Sequence, residues 1–163
     1  MKVKCILISF FLLTTTHGMT QKSRCDDIPL FNVEMVNLVN KKFNKQVGAG
    51  STREFITYAL DNMHATWNLE EKKLGREVNT DYYCVYPGDI IYFDNVVIDI
   101  DAGTRMLEDV SLSEHYAIVS EVIGDGKFSI LHQGFLPEAK RVIVTRIDIK
   151  EKKSGNISFY RGQ

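Results

Sequence analysis

The chain has 163 residues, 44% of them hydrophobic, 25% charged and 10% aromatic. This mix is enough to bury one core, and it excludes a disordered, collagen-like or multi-domain chain. A net charge of -1 lacks the basic surplus of a nucleic-acid binder, and 3 cysteines are too few for a disulfide-dense miniprotein.

The first segment reads as a leader. Lys2 and Lys4 precede a continuous apolar run, Cys5 to Leu13, and small or polar residues follow from Thr14 to Gly18. This is the pattern of a secretory signal peptide. The apolar run is too short to span a bilayer, which takes ~20 residues as a helix. Cleavage after Gly18 places Thr16 and Gly18 at the positions the peptidase reads. Residues 1–18 are therefore expected to be the leader and residues 19–163 a single domain, secreted to the extracellular space or, in a bacterium, to the periplasm.

The mature chain carries a net charge of -3 and keeps two cysteines, Cys25 and Cys84. An oxidising compartment permits them to pair. Two separate buried thiols remain the alternative, because spacing alone does not bring two Cα atoms within bridging distance. Asn156-Ile157-Ser158 is a glycosylation sequon, relevant if the host is a eukaryote.

Helices are predicted first along the chain. Val33 to Lys45 carries Met35, Leu38, Val39 and Phe43 at helical spacing. Ser51 to Met63 carries a stripe of Phe55, Ile56, Ala59, Leu60 and Met63. Ser51-Thr52-Arg53-Glu54 fits a capping box, so this helix starts at Ser51 or Thr52. Thr66 to Lys73 is a weaker, polar helix candidate.

Beyond Gly75 the apolar period becomes two. Asp89 to Phe93, His115 to Ile123, Lys127 to His132, Arg141 to Ile149 and Asn156 to Tyr160 read as strands. Gly124-Asp125-Gly126 reads as a hairpin turn. Val96 to Ser113 is acidic and poorly periodic and reads as a loop. Lys150 to Lys153 reads as a solvated turn between strands. Helices followed by a meander of strands give an α+β fold, with the helices packed on a mostly antiparallel sheet of five or six strands.

Few residues of the mature chain carry chemistry. His64, near the end of the second helix, reads as a surface or packing residue. His115 and His132 lie on neighbouring strands. Two histidines on adjoining strands near a helix N-terminus suit a Cys-His type hydrolase, because helix-end amides stabilise a thiolate and an oxyanion. A two-residue turn at Asp125-Gly126 places His132 opposite Val119, about 13 Å along the strand from His115, unless a wider loop or a bulge shifts the register. A metal site from His115, His132 and Asp101 or Glu114 lacks a recognised ligand spacing, so neither a metal nor a cofactor is expected. Tyr82, Tyr83, Tyr86 and Tyr92 read as sheet-packing aromatics or as a stacking surface for a ligand.

Four segments occur in a familiar order: Val47-Gly48-Ala49-Gly50-Ser51-Thr52-Arg53-Glu54-Phe55, Tyr86-Pro87-Gly88-Asp89-Ile90-Ile91, His115-Tyr116-Ala117-Ile118-Val119 and Leu131-His132-Gln133-Gly134. Together they resemble the papain-like amidase and peptidase superfamily that includes CHAP and NlpC/P60 domains. They are most similar to cysteine-proteinase-fold domains of some plant and fungal proteins. The resemblance covers roughly residues 33–162. It implies a papain-like fold, a nucleophile at Thr52, a base at His115 and an orienting residue at His132, with Ser51, Tyr92 and Gln133 lining the cleft. Two departures stand out: Thr52 replaces the family's cysteine, and Gly134 replaces the Asn that often follows His-Gln.

The first departure changes the chemistry. A thiol, with a pKa of ~8.5, is readily ionised by a helix end and a histidine, whereas an aliphatic hydroxyl needs its proton removed by a general base during attack. Ser51 is the better helix cap, which commits its oxygen to the backbone. The expectation is a secreted, catalytically inactive relative of cysteine amidases that binds a peptide, a cell-wall fragment or a protein partner in its cleft. Neither nucleic acid nor, after leader removal, a membrane is expected as partner. The alternative is an active amide hydrolase using Thr52 or Ser51 with His115 as base.

Overall fold

The computed structural model describes residue 25 and residues 27–103, 106–135 and 140–163. The expected leader lies outside these residues. Two helices precede five strands: α1 (Leu30–Asn40), α2 (Thr52–Asn62), β1 (Arg76–Glu77), β2 (Ile90–Asp101), β3 (Met106–Gly124), β4 (Lys127–His132) and β5 (Ile143–Arg161). The strands run in the order β1-β5-β2-β3-β4, with all pairings antiparallel. β4 also pairs with β5, so β2, β3, β4 and β5 close into a small barrel. This is an α+β fold of papain-like type.

Strand alternation divides the apolar residues between two cores. One core lies inside the barrel and contains Ile91, Phe93, Ala117, Val119, Phe128, Ile130 and Phe159. The other lies between the barrel wall and the helices, where Met35, Phe55, Ile56 and Leu60 meet Ile90, Tyr92, Tyr116, Ile118 and Leu131. Successive residues of β3 therefore face different cores: Tyr116 and Ile118 face the helices, and Ala117 and Val119 face the interior.

α2 forms as its sequence predicts, with Ser51 as N-cap and a complete capping box. α1 is displaced from the predicted span. It begins at Leu30 behind Pro29 and ends at Asn40, and residues 41–45 turn instead, with Asn44 at φ 60°. The predicted helix over Thr66 to Lys73 does not form. Asn68 and Lys73 exchange backbone hydrogen bonds across a tight turn, the Asn68 side chain accepts from the Glu71 amide, and Lys72 adopts φ 52°. A polar stretch with Asn at its start favours such a turn over a helix.

The segment Val96 to Ser113, read as a loop, belongs mostly to a long hairpin of β2 and β3. Val96, Ile98 and Ile100 alternate inward, while acidic residues occupy outward positions. Lys153 bridges two of these, Asp99 and Asp109, at 2.8 Å each. The two predicted C-terminal strands are one continuous strand, β5. Lys150 to Lys153 lies within it, exposed, and is not a turn.

Cys25 and Cys84 form a disulfide, with Cα atoms 5.7 Å apart and a sequence separation of 59. Loop closure of that length stabilises a fold by about 4 kcal/mol in the chain-entropy account. The bridge fastens the N-terminal segment to the loop that leads into β2. Among the described residues no helix is long and apolar enough to cross a membrane.

Candidate functional site

The site is built around the N-terminus of α2. The Ser51 hydroxyl accepts from the Glu54 amide at 3.2 Å and donates to the Glu54 carboxylate at 2.8 Å. That carboxylate also accepts from the amides of Ala49, at 2.8 Å, and Ser51, at 3.0 Å. These backbone hydrogen bonds, from Ala49 first and then Ser51, hold the Glu54 carboxyl below its ordinary pKa. Ser51 is thus committed to capping the helix.

Thr52 is the first residue of α2. Its hydroxyl donates to the Tyr116 carbonyl at 2.6 Å and accepts from the Tyr116 amide at 2.8 Å. The reason lies in the sheet. The amide and carbonyl of Val119 bond toward the β2 side, to residues 89 and 88. Backbone groups alternate sides along a strand, so those of Tyr116 point toward β4. β4 ends at His132, before it reaches Tyr116. Thr52 supplies the hydrogen bonds that the missing strand residue would have made.

The segment after β4 closes over the same helix end. Gln133 is fully buried. Its amide nitrogen donates to the carbonyls of Val47, at 2.7 Å, and Ser51, at 2.8 Å, and its oxygen accepts from the Val47 amide at 3.0 Å. Gly134 has φ +67°, and a Cβ there would lie 2.8 Å from the Gly50 carbonyl oxygen and 2.9 Å from the Thr52 nitrogen. Only glycine lets the backbone approach this closely in that conformation. Gly134 therefore packs against the Thr52 amide, one of the helix-end donors an oxyanion would use.

His115 and His132 come together inside the barrel. Nε2 of His115 lies 2.8 Å from Nδ1 of His132, and Nε2 of His132 lies 3.0 Å from the Thr145 hydroxyl. Two bulges make the contact. Between the turn and His132 the register shifts at Val122/Gly124 and again at Val119/Glu121, which brings Leu131 opposite Ile118 and His132 level with Ala117. One shift alone would turn His132 to the other face, whereas two restore the face and move it two residues closer to His115.

Phe93 and Phe135 surround the pair, their ring centroids 6.0 and 6.5 Å from that of His115. Burial holds the His115 imidazolium pKa down to about 4. It holds that of His132 lower than usual too, with the nearby His115 adding to the effect. Both rings are neutral at neutral pH. A base this weak takes a proton from an alcohol poorly, and the Thr52 hydroxyl gives its proton to a carbonyl instead.

Of the residues expected to line a cleft, Gln133 and Tyr92 are buried and Ser51 is exposed. Tyr92 is buried on the helix-facing side and stacks on Tyr116, centroids 4.9 Å apart, with the Lys72 ammonium 5.1 Å from its ring. His64 is exposed at the end of α2. Among the described residues no group of three or more His, Cys, Asp or Glu is arranged to hold a metal ion. Sequence reasoning missed Thr145 and the Tyr116 backbone. The signal for Thr145 was a polar residue at an inward strand position, two before Ile147. Nothing in the sequence marks a backbone group as unpartnered.

Two open cavities lie on the surface. One of about 680 Å³ runs along α2 past Ser51, Glu54, Tyr58 and Trp67. The other, of about 990 Å³, lies beside the disulfide and is lined by Ile28, Tyr82, Tyr83, Tyr86, Glu121 and Val122, among others. Neither is lined by Thr52, His115 or His132.

Residues 30–162 match the model of the AIM3/BBC1 cysteine proteinase-fold domain. The chain belongs to this family. No curated protein matches it. The AIM3/BBC1 domain begins at the first residue of α1 and ends one residue beyond β5. Cys25 precedes it, so the disulfide ties an N-terminal extension to the AIM3/BBC1 fold.

Proposed function

We propose that this chain is a secreted AIM3/BBC1-type domain that binds a partner without catalysis. One observation carries the reading: the hydroxyl at Thr52 is engaged in both directions by the Tyr116 backbone. A nucleophile must be free to approach a carbonyl, with a base positioned to take its proton. Here the proton is held by the Tyr116 carbonyl, the His115 imidazole is a weak base hydrogen-bonded to His132, and Gly134 packs against the helix end.

The groove beside the disulfide is the surface we assign to a peptide or protein partner. Tyr82 and Tyr83 stand exposed on its rim, at 74% and 54%, with Ile28 and Val122 beside them. Exposed tyrosines on a tethered loop offer large contact area at low entropic cost. The disulfide, together with the apolar leader, supports secretion.

The test is an assay of the mature protein against peptide amides and peptidoglycan, alongside Thr52→Cys and Thr52→Ala. The unmodified protein is expected to be inactive. Hydrolysis by the unmodified protein that Thr52→Ala abolishes would establish the amide-hydrolase reading in its place. Activity confined to Thr52→Cys would identify an intact site that lacks only its sulfur.

A further inference from the structure

We infer that Asn156 carries an asparagine-linked oligosaccharide, and that the sugar shields an open strand edge. The inference rests on the secretion reading above. Asn156-Ile157-Ser158 meets the acceptor rule, with a residue other than proline in the middle. Such triplets are often buried or turned inward, but this one is not. Asn156 is exposed, while Ile157 and Phe159 turn to the barrel core.

A bulge lies next to Asn156. Asp94 pairs with Asn156, but the next pair is Val97 with Ser154, so Asn95 and Val96 bulge opposite Gly155. Gly155 has φ +81°, and a Cβ there would strike the Asn95 carbonyl. A bulge bends the strand and ends regular pairing at that point.

The same stretch is an edge. On that side the Ile149 amide still donates to the Gly126 carbonyl and the Phe159 carbonyl accepts from the Val78 amide, and between them the described pairings of β5 are with β2 alone. An open edge is a template for pairing with another chain. Lys150 and Lys152 are exposed along it, while Lys153 is engaged by Asp99 and Asp109. The Lys152 ammonium reaches along it as far as the Gly155 carbonyl, at 2.6 Å, and a bulky, hydrated sugar at Asn156 covers the segment beyond. The disulfide adds an independent indication that the domain matures where such sugars are added.

The modification is a transfer from a lipid-diphosphate-linked oligosaccharide. The bond from the anomeric carbon to the diphosphate oxygen breaks, and a bond from that carbon to Asn156 Nδ2 forms. Nδ2 loses one proton, and the lipid diphosphate leaves.

The experiment expresses the full chain in cultured eukaryotic cells, once with its own leader and once with a leader of proven export. Intact mass and endoglycosidase digestion are read on protein from the medium. The expected result is an enzyme-sensitive mass increase, lost in Asn156→Gln and Ser158→Ala and kept in Ser158→Thr. Exported protein of unmodified mass would overturn the inference. Glycosylation seen only with the proven leader would support the inference while refuting the reading of residues 1–18. Sedimentation is expected to show self-association of Asn156→Gln at concentrations where the glycosylated protein is monomeric. A monomeric Asn156→Gln would refute the shielding role.

Discussion

His115 and His132 share a 2.8 Å hydrogen-bond contact because two β-bulges in the hairpin between them shift the register by two residues. Because each ring sits in an apolar interior, the pair is stable only while neutral.

Stability is therefore expected to fall with acid. The folded His115 pKa of about 4 lies below its ordinary value of 6.5, so between those values the unfolded chain binds more protons. The contribution is fully present above pH 6.5, is lost as pH falls toward 4, and levels off below. Its size is on the order of 3 kcal/mol for His115, and His132 acts in the same direction. Urea titrations at pH 7.5, 5.5 and 4 measure it. A His115→Gln variant should show a shallower decline, and a flat profile for the unmodified protein would contradict the buried neutral pair.

Thr52 is expected to matter for stability more than for chemistry. Thr52→Val keeps the shape but leaves the Tyr116 amide and carbonyl without their partner, at a cost of about 1–3 kcal/mol. Thr52→Ser retains the hydroxyl and should lose less. The midpoints of chemical unfolding, compared at neutral pH, decide this. Equal stability of all three proteins would mean that the hydroxyl is not a structural latch.

The third expectation concerns Asp89, which is fully buried. Arg161 grips its carboxylate twice, Nε to Oδ1 at 2.8 Å and Nη2 to Oδ2 at 2.7 Å. The Asn32 amide and the Tyr86 backbone complete the shell. Asp89 in turn raises the Arg161 pKa. Arg161→Met strands a buried charge and should cost about 3–5 kcal/mol. Adding Asp89→Asn to that variant removes the charge and should restore part of the loss. Thermal unfolding of the two variants tests the pair, and the idea fails if the double variant is the less stable one.

The periodic elements were legible because each carries a local signal. The capping box at Ser51 announces α2, and the Gly124-Asp125-Gly126 turn with its flanking alternation announces β3 and β4. The hairpin over Val96 to Ser113 was obscured by its acidic residues, whose outward positions suit a strand once Lys153 balances two of them. Asp89 was visible as part of a motif, but its role was not, because Arg161 lies at the far end of the chain.

The sequence by itself determined helices before an antiparallel sheet, the resemblance to papain-like domains and the residue types available for chemistry, since these rest on local pattern and short motifs. Tertiary structure decided what those residues do. Strand register and backbone partners depend on where distant segments meet, and two single-residue bulges and the early end of β4 set them here. They turn two histidines toward each other and bind a hydroxyl to the main chain.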